Sequence, residues 1–219
     1  MEGKIALKKV SLFEGLPEDD LKELTNLATV RAFPRNTVII SEGDDSDSMY
    51  VVLSGKVKVY LSDDEGKEII INILKDGDYF GELALLDEAP RSASVMTLED
   101  CKFAVLSKHA FDECLKSNPQ IALQVIRGLS ARLRYLTENV KSLALMDVYG
   151  RVARTLLEMA EDRNGVQVID HKLTQRDIAS MVGASREMVS RILKDLSAGG
   201  YITVESKSIT INEKLPHGW

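Results

Sequence analysis

The spacing of apolar residues changes twice along this chain. Between Val30 and Leu106 they fall in short runs that alternate plainly in "KVKVYL", while Gly43, Gly55, Gly66 and Gly77 recur every 11 or 12 residues. A period of two is that of strands with one buried face, and glycine at regular intervals marks the turns between them. A compact antiparallel barrel or sandwich follows. Ahead of it, "PEDDLKELTNLA" carries Leu21, Leu24 and Leu27 at helical spacing. From Asn118 the period becomes helical without a break: Ile126, Leu129, Leu133, Leu136, Val140 and Leu143 stand alternately three and four apart. That is a heptad seam. Arg127, Arg132, Arg134, Glu138, Asn139 and Lys141 occupy most of the remaining positions. So narrow a stripe predicts self-association through this helix; the alternative is an amphipathic helix laid on its own barrel.

The last third has a third texture. A helical "DVYGRVARTLLEMAEDR" leads into turn-rich "NGVQVIDHK", two short helices and a hairpin-like "GYITVESKSITIN". Asn164-Gly165 marks a turn before a strand. The organisation expected is therefore α+β in three parts: a β-domain over residues 1–117, a long helix over 118–146 and a small α+β domain over 147–219.

The 219 residues, with 44% hydrophobic and 28% charged, suit two globular domains, each with its own core. No run approaches the roughly 20 apolar residues of a membrane span. "MEGKIALKKVSLFEGL" lacks the apolar stretch and cleavage site of a secretory signal, so a cytoplasmic location is expected, without a membrane partner. Cys101 and Cys114 form no CxxC pair, which suits a reducing compartment. Net charge is −6, unfavourable to indiscriminate nucleic-acid binding, yet residues 148–219 hold ten Lys or Arg against nine Asp or Glu. Between Lys172 and Lys194 the count is five basic to two acidic. Contact with DNA belongs there.

That stretch is "LTQRDIASMVGASREMVSRILKDLSAGGYI", Leu173 to Ile202. Thr174 can cap a helix containing Ile178, Ala179 and Val182; Gly183 permits a tight turn; Ser185 can cap a second helix that buries Val189, Ile192 and Leu193. This is a helix-turn-helix pattern. On the second helix Arg186, Glu187, Ser190 and Arg191 project away from the apolar side. Arginine can donate two bonds to guanine, and glutamate can accept from cytosine, in a major groove. A solvated face with a Glu187–Arg191 pair is the plainer alternative, and the capped frame with its local basic excess outweighs it.

"GASREMVSRILKDL" resembles the recognition element of the Crp/Fnr family of transcription regulators. The resemblance runs from the β-segments to the final hairpin and implies a β-roll or jelly-roll cyclic-nucleotide-binding domain, a long dimerisation helix and a winged helix-turn-helix. It gives Arg186, Glu187 and Arg191 the reading of a GTGA-like half-site, with Thr174 and Ser185 on phosphates. Arg176, Ser190 and Lys194 complete the expected DNA-facing set. A homodimer would require palindromic DNA, and RNA polymerase is the further partner implied. "EDRNGVQVIDHK" is shorter than the loop through which activators of the family touch the polymerase, so activation and repression both stay open.

"FGELALLDEAPRSASV" is similar to the family's phosphate-binding cassette. There Gly81 lets the backbone approach closely, Leu83 lies in a short helix whose N–H groups face the phosphate, and Arg91 and Ser92 donate to its oxygens. Glu82 would accept from the ribose 2′-hydroxyl, and Pro90 fixes the backbone before the arginine. An internal Arg91–Glu82 ion pair is the structural alternative. Thr137 is the expected base contact. Its neighbour Leu136 stands where cyclic-AMP binders of the family carry threonine; it cannot hydrogen-bond and falls on the seam, where packing is its expected role. Cyclic AMP is the expected effector, with cyclic GMP, cyclic di-GMP or ligand independence behind it. Members that bind cyclic di-GMP tend to lack an intact Arg-Ser pair.

Cys101, His109 and Cys114 match no zinc spacing, so no metal is expected. With no cysteine before residue 101, the family's iron–sulfur branch does not apply. No nucleophile elbow, Walker loop or H-E-x-x-H appears, so the chain is not expected to be an enzyme. A nucleotide-binding module serving a partner protein is the remaining alternative, and it would have no use for Arg186, Glu187 and Arg191 together.

Overall fold

The computed structural model describes residues 10, 13, 17–169, 174–205 and 208–215. The side chain of Leu24, together with Lys172 and Leu173, lies outside the described residues. The chain divides into two compact units, one of Met1–Asp63 with Ile71–Arg134, the other of Asp64–Ile70 with Tyr135–Trp219.

Helix α1 (Glu18–Leu27) is followed by β1 (Thr29–Phe33), β2 (Val38–Ile40), β3 (Ser48–Ser54), β4 (Val57–Ser62) and β5 (Glu68–Leu74), whose residues 68–70 are counted with the second unit. Then come β6 (Tyr79–Phe80), the single turn α2 (Leu83–Leu86), β7 (Ser94–Thr97), β8 (Cys101–Ser107) and α3 (Lys108–Ser117). The strands form two four-stranded sheets, ordered β1-β8-β3-β6 and β2-β7-β4-β5, in the jelly-roll manner. Gly43, Gly55, Gly66 and Gly77 all take positive φ at the turns, which is the rhythm seen in the sequence.

Strand alternation divides the apolar residues between two cores. Val51, Tyr79 and Ala104 face one way, into a cluster with Phe13, Leu21, Phe111, Ile121 and Val125. Their neighbours Val52, Phe80 and Phe103 face the other way, joining Ile40, Val57, Leu74 and Val95. In the second cluster Tyr50 stacks on Phe80 at 5.0 Å between ring centroids, and Phe103 meets both edge-on at 5.5 and 6.1 Å. Cys101 is buried in this core as a small apolar residue.

The helix α4 (Pro119–Leu145) runs 27 residues. Only its first turns are buried by the β-domain, through Ile121 and Val125, with Leu129 packed partly against the same core. Beyond them Ile126, Leu133, Leu136, Val140 and Leu143 are exposed, Leu133 by 68%.

The C-terminal part continues with α5 (Val148–Met159), β9 (Glu161–Arg163), β10 (Val166–Ile169), α6 (Gln175–Val182), α7 (Arg186–Ala198), β11 (Ile202–Val204) and β12 (Ile209–Ile211). One point departs from the sequence expectation. Glu161–Arg163 is a strand and not the end of the preceding helix. Asn164 and Gly165 both adopt positive φ, the backbone of a two-residue hairpin turn, so the three residues pair with β10. The sheet order is β11-β12-β10-β9. Helices and sheet close over Val152, Leu156, Ile169, Ile178, Val189, Leu196 and Ile202.

Phe103 is fully buried at the centre of the aromatic group. Phe103→Ala is expected to destabilise the β-domain by about 3–5 kcal/mol, read from chemical denaturation followed by circular dichroism.

Candidate functional site

Strand β6 ends at Phe80, and the chain then turns through Gly81 with φ +81°. A β-carbon on Gly81 would collide with the Arg91 guanidinium and stand 3.2 Å from Ile40 Cδ1. Only glycine meets both the backbone conformation and the space. Arg91 itself is 7% exposed. Its Nη1 donates to Gly81 O at 2.8 Å and its Nη2 to Ser48 O at 2.6 Å. The backbone is fixed as well: Arg91 N donates to Asp44 O at 2.9 Å and Gly43 N donates to Arg91 O at 2.9 Å. Burial lowers the Arg91 pKa, opposed by Tyr50, Asp47, Glu82 and Asp44. A guanidinium has five N–H donors, so the two bonds made here leave capacity for an anion. Ser92 is exposed beside it.

Glu82 is the N-cap of α2 but its side chain makes no capping bond there. The carboxylate is 1% exposed and pairs with Arg132 Nη1 from α4. Burial raises the Glu82 pKa, with Arg132 and Arg91 acting against the rise. Arg132 also donates through Nη2 to Tyr79 O and lies over the Tyr79 ring, 4.6 Å from its centroid. Glu82 thus finds its cation on the long helix and not in Arg91. Leu83 is 40% exposed. The structure brings Gly81, Glu82, Leu83 and Arg91 together, with Ser92 adjoining; Thr137, exposed on α4, belongs to the second compact unit.

In the sequence Arg132 registers only as one of the polar residues beside the seam. The available signal is its position, five residues before Thr137 on the helix that supplies the expected base contact.

In the second unit, Thr174 caps α6 in a full capping box. Its hydroxyl accepts from Asp177 N at 3.1 Å and donates to Asp177 Oδ2 at 2.6 Å, and Thr174 N donates to the same carboxylate at 2.9 Å. The helix ends in left-handed Gly183, and Ser185 caps α7 by accepting from Met188 N at 3.2 Å. Val189, Ile192, Leu193 and Leu196 are buried. Arg186, Glu187, Arg191 and Lys194 are exposed, as is Arg176 on α6, while Ser190 is half-buried. Sequence reasoning passed over Arg151 of α5, which donates from Nε to Val182 O and from Nη1 to Met146 O, both at 2.8 Å. It stitches the first helix of the motif to the end of α4.

Among the described residues no group of His, Cys, Asp and Glu is placed to hold a metal ion. Among the same residues no helix is long and apolar enough to cross a membrane.

The cyclic nucleotide-binding domain family matches residues 30–118 and the Crp-like helix-turn-helix domain family matches residues 150–214. A CRP-like cAMP-activated global transcriptional regulator of Mycobacterium tuberculosis is 34% identical over 211 residues, 94% of each chain. The cAMP-activated global transcriptional regulator CRP of Salmonella typhimurium is 34% identical over 206 residues, 90% of this chain and 97% of that one. Among solved structures, the c-di-GMP responsive regulator CLP of Xanthomonas campestris shares the fold, with TM-score 0.79 at 24% identity, covering 90% of this chain and all of that one. The catabolite activator protein of Thermus thermophilus superposes with TM-score 0.56 at 28% identity, over 93% of this chain and 94% of that one. With both domain families in order and relatives matched over nearly their whole length, the chain belongs to the Crp/Fnr family, as a cyclic-nucleotide-binding transcription regulator that binds DNA.

Proposed function

We propose that the effector is cyclic AMP, that the functional unit is a homodimer joined through α4, and that it reads an inverted repeat with a GTGA-like half-site. The observation that carries the ligand assignment is the buried Arg91, held on the carbonyls of Gly81 and Ser48 with donors to spare. A cyclic phosphate would take those donors together with Ser92, whose exposed hydroxyl lies beside them. Glu82, paired with Arg132, would accept from the ribose 2′-hydroxyl, with Leu83 lining the sugar and Thr137 left to meet the base. The names of relatives from Mycobacterium tuberculosis and Salmonella typhimurium support cyclic AMP over other nucleotides. The exposed seam of Ile126, Leu133, Val140 and Leu143 supports a second copy as its cover.

On DNA, Arg186, Glu187 and Arg191 take base edges in the major groove, while Thr174, Arg176, Ser185, Ser190 and Lys194 serve the flanking phosphates and sugars. Two such helices related by a two-fold axis require half-sites about one DNA turn apart. Action on DNA supports a cytoplasmic location, and RNA polymerase is the partner of a regulator bound at a promoter. Ligand and DNA affinities are coupled reciprocally if ligand favours the DNA-competent state.

Calorimetric titration with cyclic AMP, cyclic GMP and cyclic di-GMP tests the ligand assignment. Saturable binding of cyclic AMP, lost in Arg91→Ala, is the expected result. Tighter binding of cyclic GMP or of cyclic di-GMP would reassign the effector, and absence of binding to all three would remove the nucleotide switch from the mechanism.

For DNA, Arg186→Ala and Arg191→Ala are each expected to cost about 1–3 kcal/mol and to relax preference at one guanine. Equal weakening on every sequence in a competition binding assay would contradict base reading.

The buried carboxyl gives a pH test. Because its native pKa is raised, folded Glu82 holds its proton to higher pH than the unfolded chain does. Its contribution to stability is therefore full below the ordinary carboxylate pKa and is lost as pH rises through the native value. Glu82→Gln removes that dependence. Thermal midpoints of variant and wild type, compared from about pH 4 to about pH 7, are expected to shift progressively in the variant's favour. A constant difference would place the Glu82 pKa at its ordinary value.

A further inference from the structure

The two residues of β6 point to opposite cores, and Tyr79 is the one that faces α4. It is 4% exposed, and its hydroxyl has no hydrogen-bond partner among the described residues. The oxygen lies against Gly128 of α4, inside the space a β-carbon at that position would fill; Tyr79 Cζ is 3.2 Å from the same point and Cε1 3.6 Å. One turn further along, Arg132 covers the Tyr79 ring, bonds its carbonyl and pairs with Glu82.

Neither member of this pair is explained by local rules. Glycine disfavours a helix interior, and Gly128 stands ten residues inside one. A buried hydroxyl without a partner carries a desolvation cost that phenylalanine would avoid. Each makes sense only against the other, since any side chain at 128 would displace the hydroxyl and α4 together.

We propose that Tyr79 and Gly128 form a matched knob and notch that sets the register of α4 on the β-domain, making Tyr79 a positioning residue that aims Arg132 at Glu82. The register itself stands on the geometry; its effect on ligand affinity rests on the nucleotide-binding role proposed above. Moving α4 outward by the width of a methyl group withdraws Arg132 from a carboxylate that has almost no contact with solvent. Glu82 then loses its cation partner, and the turn it caps loses its tether to the long helix.

Gly128→Ala in the full-length protein is the test, because helix propensity and the steric stop predict opposite signs. Alanine is the better helix former, so propensity alone would slow hydrogen exchange along α4. The steric stop predicts amide exchange about tenfold faster over residues 82–91, and cyclic AMP binding weaker by about the same factor. Tyr79→Phe combined with Gly128→Ala removes the colliding oxygen and is expected to bring both quantities back to within about threefold of wild type. Wild-type exchange in Gly128→Ala, or no recovery in the double variant, would overturn the proposal. If wild-type protein fails to bind cyclic AMP while the exchange pattern and its rescue are seen, the register stands and the ligand assignment falls.

Discussion

A guanidinium almost wholly withdrawn from solvent is the constraint around which the β-domain is arranged. Arg91 keeps its charge because fixed carbonyls of Gly81 and Ser48 accept from it and because Asp44, Asp47 and Glu82 surround it. These contacts draw together the end of β6, the start of β3 and the loop at Gly43 and Asp44. Folding the domain and setting the guanidinium proposed to hold the phosphate are thus the same act. Net charge says nothing here: a chain at −6 places one desolvated cation where its field is least screened.

The helix α4 has two sets of obligations. Its first half serves the β-domain, through Ile121, Val125, Gly128 and Arg132. Its last turns serve the DNA-reading part: Arg154 Nη1 donates to Glu138 O at 2.9 Å, Arg151 bonds Met146 O, and Leu143 lies 3.3 Å from where a β-carbon on Gly183 would stand. The division between compact units falls between Arg134 and Tyr135, inside one unbroken helix. Arg132, which bonds Glu82, and the Glu138 carbonyl, which accepts from Arg154, are six residues apart along the helix, less than two turns. In the proposed dimer, the exposed seam of the same helix makes this stretch common to both subunits as well.

What the sequence disclosed, and what it withheld, divides by the range of the interaction. Strand alternation, glycine turns, the Thr174 cap and the Gly183 break are local, and each was legible. So was the proximity of Gly81 and Arg91, which are ten residues apart and carry a recognisable pattern. The Glu82–Arg132 pair spans fifty residues and the Tyr79–Gly128 contact forty-nine, distances at which periodicity carries no information. Arg132 is indistinguishable in sequence from Arg127 or Arg134 until the β-domain shows which one faces a buried carboxylate. The strand at Glu161–Arg163 was missed for a different reason. Its residues are charged and have no apolar alternation, and only the hairpin turn that follows them commits them to a sheet.

The two helix caps of the DNA-reading motif are chemically unequal. A phosphate accepts and never donates, so a hydroxyl that contacts it must have its hydrogen to give. Thr174 gives its hydrogen to Asp177 Oδ2, and the capping box holds that bond in place. Ser185 uses its oxygen as an acceptor from Met188 N, which leaves its hydroxyl hydrogen available to give. A phosphate beside Ser185 adds a bond without removing one. A phosphate beside Thr174 has to displace a carboxylate, itself an anion, or be served by the backbone and by Arg176 instead. Of the two, Ser185 can meet a phosphate with its cap intact, whereas the contact proposed for Thr174 requires its bond to Asp177 to open.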